Sequence, residues 1–220
     1  MEKWLQVSDE DKIQVYNEIA AQTGLTPYAV EKDWWVTQTI ALIFKTELAP
    51  HLVFKGGTSL SKAWGLIERF SEDIDLAVDR SFFGIKGTMN GTQVRKLRRL
   101  SSEYISINFY PALKQRFEEA GIKVDIKLAA VQSSDQDPLL IEIYYPHVIE
   151  YPGYIQPRVL VEIGSRSLRE PLSIRKFSSL VGSSYPDRPF ADAPIDIPTV
   201  NPERTLLEKI FLLHEEFQKP

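Results

Sequence analysis

The sequence contains no cysteine, and this absence excludes several kinds of chemistry at once. Without thiol groups the chain forms no disulfide, offers no thiolate ligand to zinc and has no cysteine nucleophile. A chain without cysteine is also compatible with a reducing compartment such as the cytoplasm. Histidine is scarce as well, with three residues among 220, so a histidine-rich metal site is not expected.

Long apolar runs are also missing. No segment approaches the roughly 18 consecutive apolar residues that a membrane span requires. The first residues do not form the basic region followed by an apolar run that marks a secretory signal. We therefore expect a soluble, cytoplasmic protein without a membrane partner.

Positive charge is not in excess. The formal net charge is −4, which argues against a surface of positive potential for general nucleic-acid binding. The densest basic run is Arg95-Lys96-Leu97-Arg98-Arg99, on a predicted helix. Such runs usually form a solvated helix face. The alternative is a patch that guides RNA or nucleotide phosphates toward a site.

Length and an apolar content of 43% indicate one large globular domain, or one and a half smaller ones. Hydrophobic spacing predicts an α/β fold of the α+β type, with one mixed sheet. Helices are predicted over 8–23, 28–46, 58–67 and 93–119, with an interruption or restart at Pro111, and from about 202 to the end. Strands are predicted over 52–54, 74–78, 123–127, 139–144 and 158–164. The glycine-containing loop 84–91 is a candidate mobile lid, and no element is predicted in the proline-rich stretch 178–202.

The most informative motif is a glycine pair followed by two spaced carboxylates. Lys55-Gly56-Gly57-Thr58-Ser59 follows one predicted strand, and Asp73-Ile74-Asp75 begins the next. Residues i and i+2 of a strand share a face, so the two aspartates project side by side. Mg²⁺ is usually held by one or two carboxylates together with substrate phosphates. Because glycines let the N–H groups of a helix start approach a triphosphate, the pattern predicts a metal-dependent nucleotide site.

A mechanism with two metal ions calls for a third carboxylate. Glu162 lies between apolar residues of a predicted strand and is the preferred candidate. Asp125 has the same local pattern and is the alternative. The pattern does not separate them, because strands with one solvated face also alternate polar and apolar residues without function.

Three stretches of the chain resemble one known family. These are Lys55 to Thr58 with the following Arg69 to Leu76, Glu31-Lys32-Asp33-Trp34-Trp35, and Thr205-Leu206-Leu207-Glu208-Lys209-Ile210. They are similar to motifs of the AbiEii/AbiGii toxin-type nucleotidyltransferases, a branch of the polymerase-β-like superfamily. The resemblance spans about residues 28–213. It implies a nucleotidyltransferase core at 51–200, an N-terminal helical segment at 1–50 packed on it, and a C-terminal helix at 201–220 that we expect to be the start of a truncated helical region.

The resemblance also implies an activity. The protein would use Mg²⁺ to transfer a nucleoside monophosphate from a nucleoside triphosphate to RNA, with tRNA as the best guess, or to a protein hydroxyl. It would be the toxin of a toxin–antitoxin or phage-defence (abortive infection) system, with a cognate antitoxin as partner. The alternatives are a catalytically silent nucleotide- or RNA-binding module of the same fold and a small-molecule nucleotidyltransferase of the antibiotic-modifying kind.

Roles for individual residues follow from the matched motifs and, for Glu162, from its strand pattern. The predicted catalytic residues are Asp73, Asp75, Glu162 and Lys209, and the three carboxylates among them are the predicted metal ligands. Nucleotide contacts are predicted for Lys55, Gly56, Gly57, Thr58, Ser59, Arg69 and Ser71. The alternatives are helix capping for Thr58 and Ser59, and a solvent-facing pair with Glu208 for Lys209.

Five further residues receive structural interpretations. Lys62 is expected at the surface, a full turn into the helix that follows the glycine pair. Glu31 and Lys32 are expected to link the N-terminal helix to the core rather than to act in catalysis, and Trp34 and Trp35 are expected in the core.

Overall fold

A computed structural model of the protein describes residues 2–67, 73–153 and 156–218. Within these ranges the chain forms a seven-stranded mixed sheet combined with helices, which confirms the predicted α+β class. No helix in the described ranges is long and apolar enough to cross a membrane.

The helices follow recognisable start and stop signals. The Ser8 hydroxyl accepts a hydrogen bond from the N–H of Asp11 at the start of α2, and Gly24 ends that helix with a left-handed φ of 73°. The helices are α1 (Glu2–Leu5), α2 (Asp9–Thr23), α3 (Pro27–Ile43), α4 (Gly56–Thr58, continued by a π-helical turn over Ser59–Ala63), α5 (Gly91–Tyr104, continued by a π-helical turn over Ile105–Phe109), α6 (Tyr110–Glu119), α7 (Leu180–Ser184) and α8 (Pro202–Phe217). Short 3₁₀ turns cover Ala49–His51 and Arg80–Phe83.

The strands are β1 (Leu52–Lys55), β2 (Asp73–Val78), β3 (Asp125–Leu128), β4 (Leu139–Tyr144), β5 (Arg158–Gly164), β6 (Leu172–Phe177) and β7 (Ile195–Val200). Their order in the sheet is β3-β4-β5-β2-β1-β7-β6. The central strand β2 is antiparallel to β1 and parallel to β5. Residues from two distant parts of the sequence, near 75 and near 162, therefore meet at the centre of the sheet.

One face of the sheet forms the main core. Alternate strand residues such as Phe54, Leu76 and Ile163 are fully buried there, together with Trp34 of α3 and Phe117 of α6. The opposite face is less covered, because the other residues of β4 and β5 are only half-buried. This alternation is the period-two pattern of a sheet packed on one side, and it leaves the second face available for a site. The expected core positions of Trp34 and Trp35 are confirmed.

The region after residue 164 differs from the sequence-based expectation. β6 was not predicted, and β7 and α7 lie in the stretch for which no element was predicted. β7 contains Pro198, which has no N–H to donate and normally argues against an interior strand. In the fold, β7 is held between β1 and the edge strand β6, where Pro198 stands opposite Ile174. Pairing with strands distant in sequence therefore overrides the local signal.

Two predicted helices have different boundaries. The helix predicted over 58–67 ends at Ala63, and Gly65 then adopts a left-handed φ of 62°. The helix predicted over 93–119 is not broken at Pro111. Just before this proline the chain forms a wider, π-helical turn, in which the N–H of Tyr110 donates to the carbonyl oxygen of Ile105. A wider turn of this kind lets the helix restart at proline, which lacks an N–H group.

Charged residues buried in α3 connect it to the rest of the fold. Glu31 accepts hydrogen bonds from the N–H groups of Val148 and Ile149, at 2.8 and 3.3 Å, in the connection between β4 and β5. This is the structural link that we expected for Glu31, and the neighbouring Lys32 is also buried.

Asp33 makes two long-range connections. It accepts a hydrogen bond from the N–H of Leu180 at 2.7 Å and forms an ion pair with Lys62. The Lys62 side chain is only 9% exposed, so its predicted surface position was wrong. The reason is that its partner lies 29 residues earlier, on a different helix. The pair attaches the π-helical turn after the glycine pair to the core.

The buried carboxyl of Glu31 should make the stability of the fold depend on pH. Burial raises its pKa from 4.5 to about 7, although the hydrogen bonds that it accepts from two backbone N–H groups lower the pKa. A carboxyl with a raised folded-state pKa stabilises the fold below its unfolded pKa, and this stabilisation is lost as pH rises through 7. We expect the free energy of unfolding of the wild type to fall by up to about 3 kcal/mol from this carboxyl between about pH 4.5 and 7.5. The Glu31→Gln variant should lack this decrease.

Urea unfolding of the wild type and of Glu31→Gln across this pH range measures the effect. Glu10→Gln, at an exposed position of α2, is the matched control and should keep the wild-type pH dependence. Parallel curves for the wild type and Glu31→Gln would contradict the prediction.

Candidate active site

Three charged residues stand opposite one another on adjacent central strands. Lys55 of β1 is the register partner of Asp75 of β2, and Asp75 is the register partner of Glu162 of β5. Opposed residues on neighbouring strands point to the same face, with the strands about 4.8 Å apart. All three are half-buried, on the less covered face of the sheet. Asp75 therefore has a cation on one side and a second carboxylate on the other.

The electrostatic environment of Asp75 involves every described charged residue that we predicted to be catalytic or nucleotide-binding. Burial raises the pKa of its carboxyl to about 6, and Lys55 opposes this rise. The carboxylates of Glu162 and Asp73 add to the rise, and Lys209 lowers it. Negative charge is thus concentrated around Asp75, where a bound cation would relieve it.

The backbone of Gly56 lies directly against the Asp75 carboxylate. Gly56 has a φ of 76°, and a Cβ atom added there would stand 1.8 Å from Oδ2 of Asp75. A side chain is therefore excluded at position 56 by both the left-handed backbone and the carboxylate. The first glycine of the predicted nucleotide motif thus allows the glycine turn and β2 to approach each other closely.

The hydroxyl groups after the glycine pair are directed to backbone atoms. Thr58 donates to the carbonyl oxygen of Asp73, and Ser59 donates to that of Gly56 at 2.8 Å. Both side chains are fully buried. Helix α4 begins at Gly56, so neither residue occupies the capping position that we considered as an alternative. Nucleotide contact by Thr58 and Ser59 stays a prediction, as it does for Gly57, which lies in the same turn of α4.

Sequence reasoning missed the interactions that hold the end of this helical segment. The indole N–H of Trp64 donates to the carbonyl of Val200 at 3.1 Å. Arg175 donates to the carbonyl of Ala63 at 3.0 Å, and its guanidinium lies 4.3 Å from the Trp64 ring centre. Arg175 belongs to β6, which was not predicted, so no local signal connected it with the glycine motif.

The strand order distinguishes the two candidates for the third carboxylate. Glu162 is on β5, directly beside β2, whereas Asp125 is on the edge strand β3, three strand spacings or about 14 Å from β2. The Asp125 side chain is 62% exposed and forms an ion pair with Lys127 at 2.7 Å. The geometry therefore favours Glu162.

The carboxylates do not form a preassembled metal cage. In the described part of the chain, no group of three or more histidine, cysteine, aspartate or glutamate side chains is placed to hold a metal ion. Asp73 is exposed at the start of β2, while Asp75 and Glu162 are half-buried. Asp73 and Asp75 place two carboxylates on one face of β2, and their role as metal ligands stays a prediction.

The remaining predicted residues lie around this centre or beyond the described ranges. Lys209 is exposed on α8, near enough to Asp75 to lower its pKa. Its neighbour Glu208 is paired with Arg204 at 3.2 Å, and the exposure of Lys209 agrees with the solvent-facing alternative. Arg69 and Ser71, which we predicted as nucleotide contacts, fall outside the described residues.

Comparison with known proteins adds one match that covers most of the chain. Residues 41–220 match the family model described as nucleotidyl transferase AbiEii toxin, type IV TA system. The search of curated proteins finds no match. The matched range includes the glycine turn, both strands that bear the central carboxylates and the helix of Lys209. The resemblance seen in the sequence is thereby confirmed, and the chain belongs to the AbiEii nucleotidyl transferase toxin family of type IV toxin–antitoxin systems.

Proposed function

We propose that the protein transfers a nucleoside monophosphate from a nucleoside triphosphate to a hydroxyl acceptor, with Mg²⁺ as cofactor. The arrangement around Asp75 carries this proposal. This carboxylate has Lys55 and Glu162 as register partners and lies against the backbone of Gly56. Carboxylates beside a side-chain-free turn can approach the phosphates of a nucleotide and a cation that binds them.

The carboxylates fit a Mg²⁺ site that the substrate completes. Mg²⁺ is commonly bound by one or two carboxylates plus substrate phosphates rather than by an all-protein cage. Asp73 and Asp75 would hold the ion, and Glu162, one strand away, would be the third carboxylate. The ion would supply neutralisation of the charge on the phosphates.

The remaining residues would position the triphosphate. Lys55 and Lys209 both act on the charge of Asp75 and would contact phosphate oxygens as point charges. The backbone of Gly56 and Gly57 would approach the phosphates, while Thr58 and Ser59 shape that turn through their bonds to carbonyl oxygens. Arg69 and Ser71, just before β2, are proposed as further nucleotide contacts.

The acceptor is RNA, with tRNA first, or a protein hydroxyl. Membership of a type IV toxin–antitoxin family supports a toxin role with a cognate antitoxin. We place this activity in the cytoplasm, in defence against phage. The rival function is a catalytically silent nucleotide- or RNA-binding module, which the lack of a three-acid cluster in the described residues favours.

One experiment tests the activity and the acceptor class together. The protein is incubated with each labelled nucleoside triphosphate in turn, Mg²⁺ and total RNA, and RNA is then separated from protein. Label in the RNA fraction indicates an RNA acceptor, and label in the protein fraction indicates a protein acceptor. Absence of label in both fractions with all four triphosphates would favour the silent module.

The central carboxylates should be essential for transfer but not for folding. We expect Asp73→Asn and Asp75→Asn each to lower the rate of nucleotidyl transfer more than about 100-fold. The reason is that mutating even a residue that only hydrogen-bonds a metal ligand typically lowers activity or metal affinity by about 10- to 100-fold. Asp75→Asn should hold or raise stability, since it removes a half-buried charge. Label transfer and urea unfolding measure the two effects.

The matched control is Asp125→Asn, which makes the same substitution at an exposed acid on the edge strand. It should retain wild-type transfer. If Asp125→Asn reduces transfer as much as Asp75→Asn, the assignment of the central carboxylates is wrong.

A side chain at position 56 should disable the site through contact with Asp75. We expect Gly56→Ala to lower transfer more than about 100-fold, because the added Cβ atom displaces the carboxylate. Gly24→Ala is the matched control, with a φ of 73° and open space around its Cβ position. Both variants should be less stable by about 1 kcal/mol or more, because alanine is disfavoured in a left-handed backbone conformation. Only Gly56→Ala should lose transfer activity. Equal activity in the two variants would mean that the close approach has no role in transfer.

A further inference from the structure

A group of exposed cations lies beyond the end of β5. Helix α5 contributes Arg95, Lys96 and Arg99, and the segment after β5 contributes Arg166. Their neighbours Arg98 and Arg169 are paired with Asp135 at 3.7 Å and with Asp79 at 3.2 Å. The four exposed cations form no such ion pair with a described residue. We call these four residues the basic surface.

The buried face of α5 determines where its cations point. Leu97 and Ser101, one turn apart, are fully buried against the core. Arg95 and Arg99 are also one turn apart and lie on the exposed side, with Lys96 beside them. Arg95, Lys96 and Arg99 are therefore directed away from the core, around the middle of the helix.

Asp137 joins the two parts of the basic surface. Its carboxylate accepts hydrogen bonds from the N–H of Ser165 at 3.1 Å and from the hydroxyl of Ser101 at 3.4 Å. Burial raises the pKa of this carboxyl, whereas the hydrogen bonds from Ser165 and the charges of Arg166 and Arg98 lower it. The end of β5 and the middle of α5 are thus fixed to each other, and Arg166 is held on the same end of the molecule as the basic run.

The basic surface is within reach of the candidate active site. Arg166 follows Glu162 by four residues, and β5 continues to Gly164. A strand rises about 3.3 Å per residue, so the two backbones are at most about 13 Å apart. A polymer that contacts the basic surface can therefore extend to the carboxylates.

We propose that the basic surface binds the phosphate backbone of a nucleic-acid acceptor strand. This inference rests on the proposed function and narrows its acceptor to RNA. Four cations that form no ion pair with a described residue, on a chain with a net charge of −4, provide a local attraction for phosphate that the chain as a whole does not. Three of the four are arginines, whose planar guanidinium groups match phosphate oxygens in pairs. Such contacts position a strand without reading its sequence.

The test measures RNA binding in the absence of nucleoside triphosphate, so that it does not depend on transfer. Binding of a labelled single-stranded RNA is followed by fluorescence polarisation between about 50 and 300 mM salt. The variant Arg95→Gln/Lys96→Gln/Arg99→Gln removes the helical part of the surface, and Arg166→Gln removes the other part separately. The matched control Lys3→Gln/Lys45→Gln/Lys114→Gln removes the same charge from exposed positions elsewhere.

We expect the triple variant to weaken RNA binding more than about tenfold at low salt. Each phosphate contact contributes about −0.7 to the slope of log K against log salt for single strands, so this slope should become shallower by about 2. Arg166→Gln should make it shallower by about 0.7. The control triple variant should keep the wild-type slope, and thermal unfolding should show that all variants remain folded.

Three results would overturn the proposal. The first is a wild-type slope in the triple variant, and the second is an equal loss in the control, which would indicate a bulk charge effect. The third is binding of polyglutamate as tightly as RNA, which would indicate an acidic protein partner instead. Failure of the labelled transfer reaction with intact, salt-dependent RNA binding would refute only the proposed activity.

Discussion

The close approach of the Gly56 backbone to the Asp75 carboxylate is the constraint on which the candidate site depends. A Cβ atom at position 56 would stand 1.8 Å from Oδ2, so the approach exists only with glycine there. β1 leads into Gly56 and β2 carries Asp75, so this contact sets the distance between the glycine turn and the carboxylates. Burial raises the pKa of this carboxyl to about 6. Its charge is then governed by Lys55 and Glu162, its register partners on either side.

The opposite side of the fold holds this arrangement in place with buried charge. Asp33 of α3 is bonded to Lys62, in the π-helical turn after the glycine pair, and to the N–H of Leu180. Glu31, two residues earlier, accepts hydrogen bonds from two backbone N–H groups in the connection that leads into β5. One helix therefore anchors both the segment that follows the glycines and the segment that precedes the strand of Glu162. Leaving either buried acid without its partners would cost several kcal/mol, so these connections constrain the site although they lie outside it.

Opposite charges are concentrated in two different regions of this overall acidic chain. Carboxylates are concentrated at the centre of the less covered sheet face, where they suit a cation and triphosphate. Exposed cations are concentrated beyond the end of β5, around the middle of α5 and at Arg166. Because β5 connects the two regions, a nucleotide and a longer polyanion could be bound at the same time without sharing ligands. The net charge of −4 therefore says little about what either region binds.

Local patterns in the sequence were enough to predict the α+β class, the glycine turn and the shared face of Asp73 and Asp75. Strand alternation and the requirement for glycine act over a few residues, so they are visible in the sequence. Glu162 was the preferred candidate from the sequence and Asp125 stayed an alternative, because both have the same local pattern. β7 was hidden by Pro198, and the buried position of Lys62 depends on an acid 29 residues away. The sequence thus determined which residues could form a site, whereas strand order and packing between distant segments decided which of them meet.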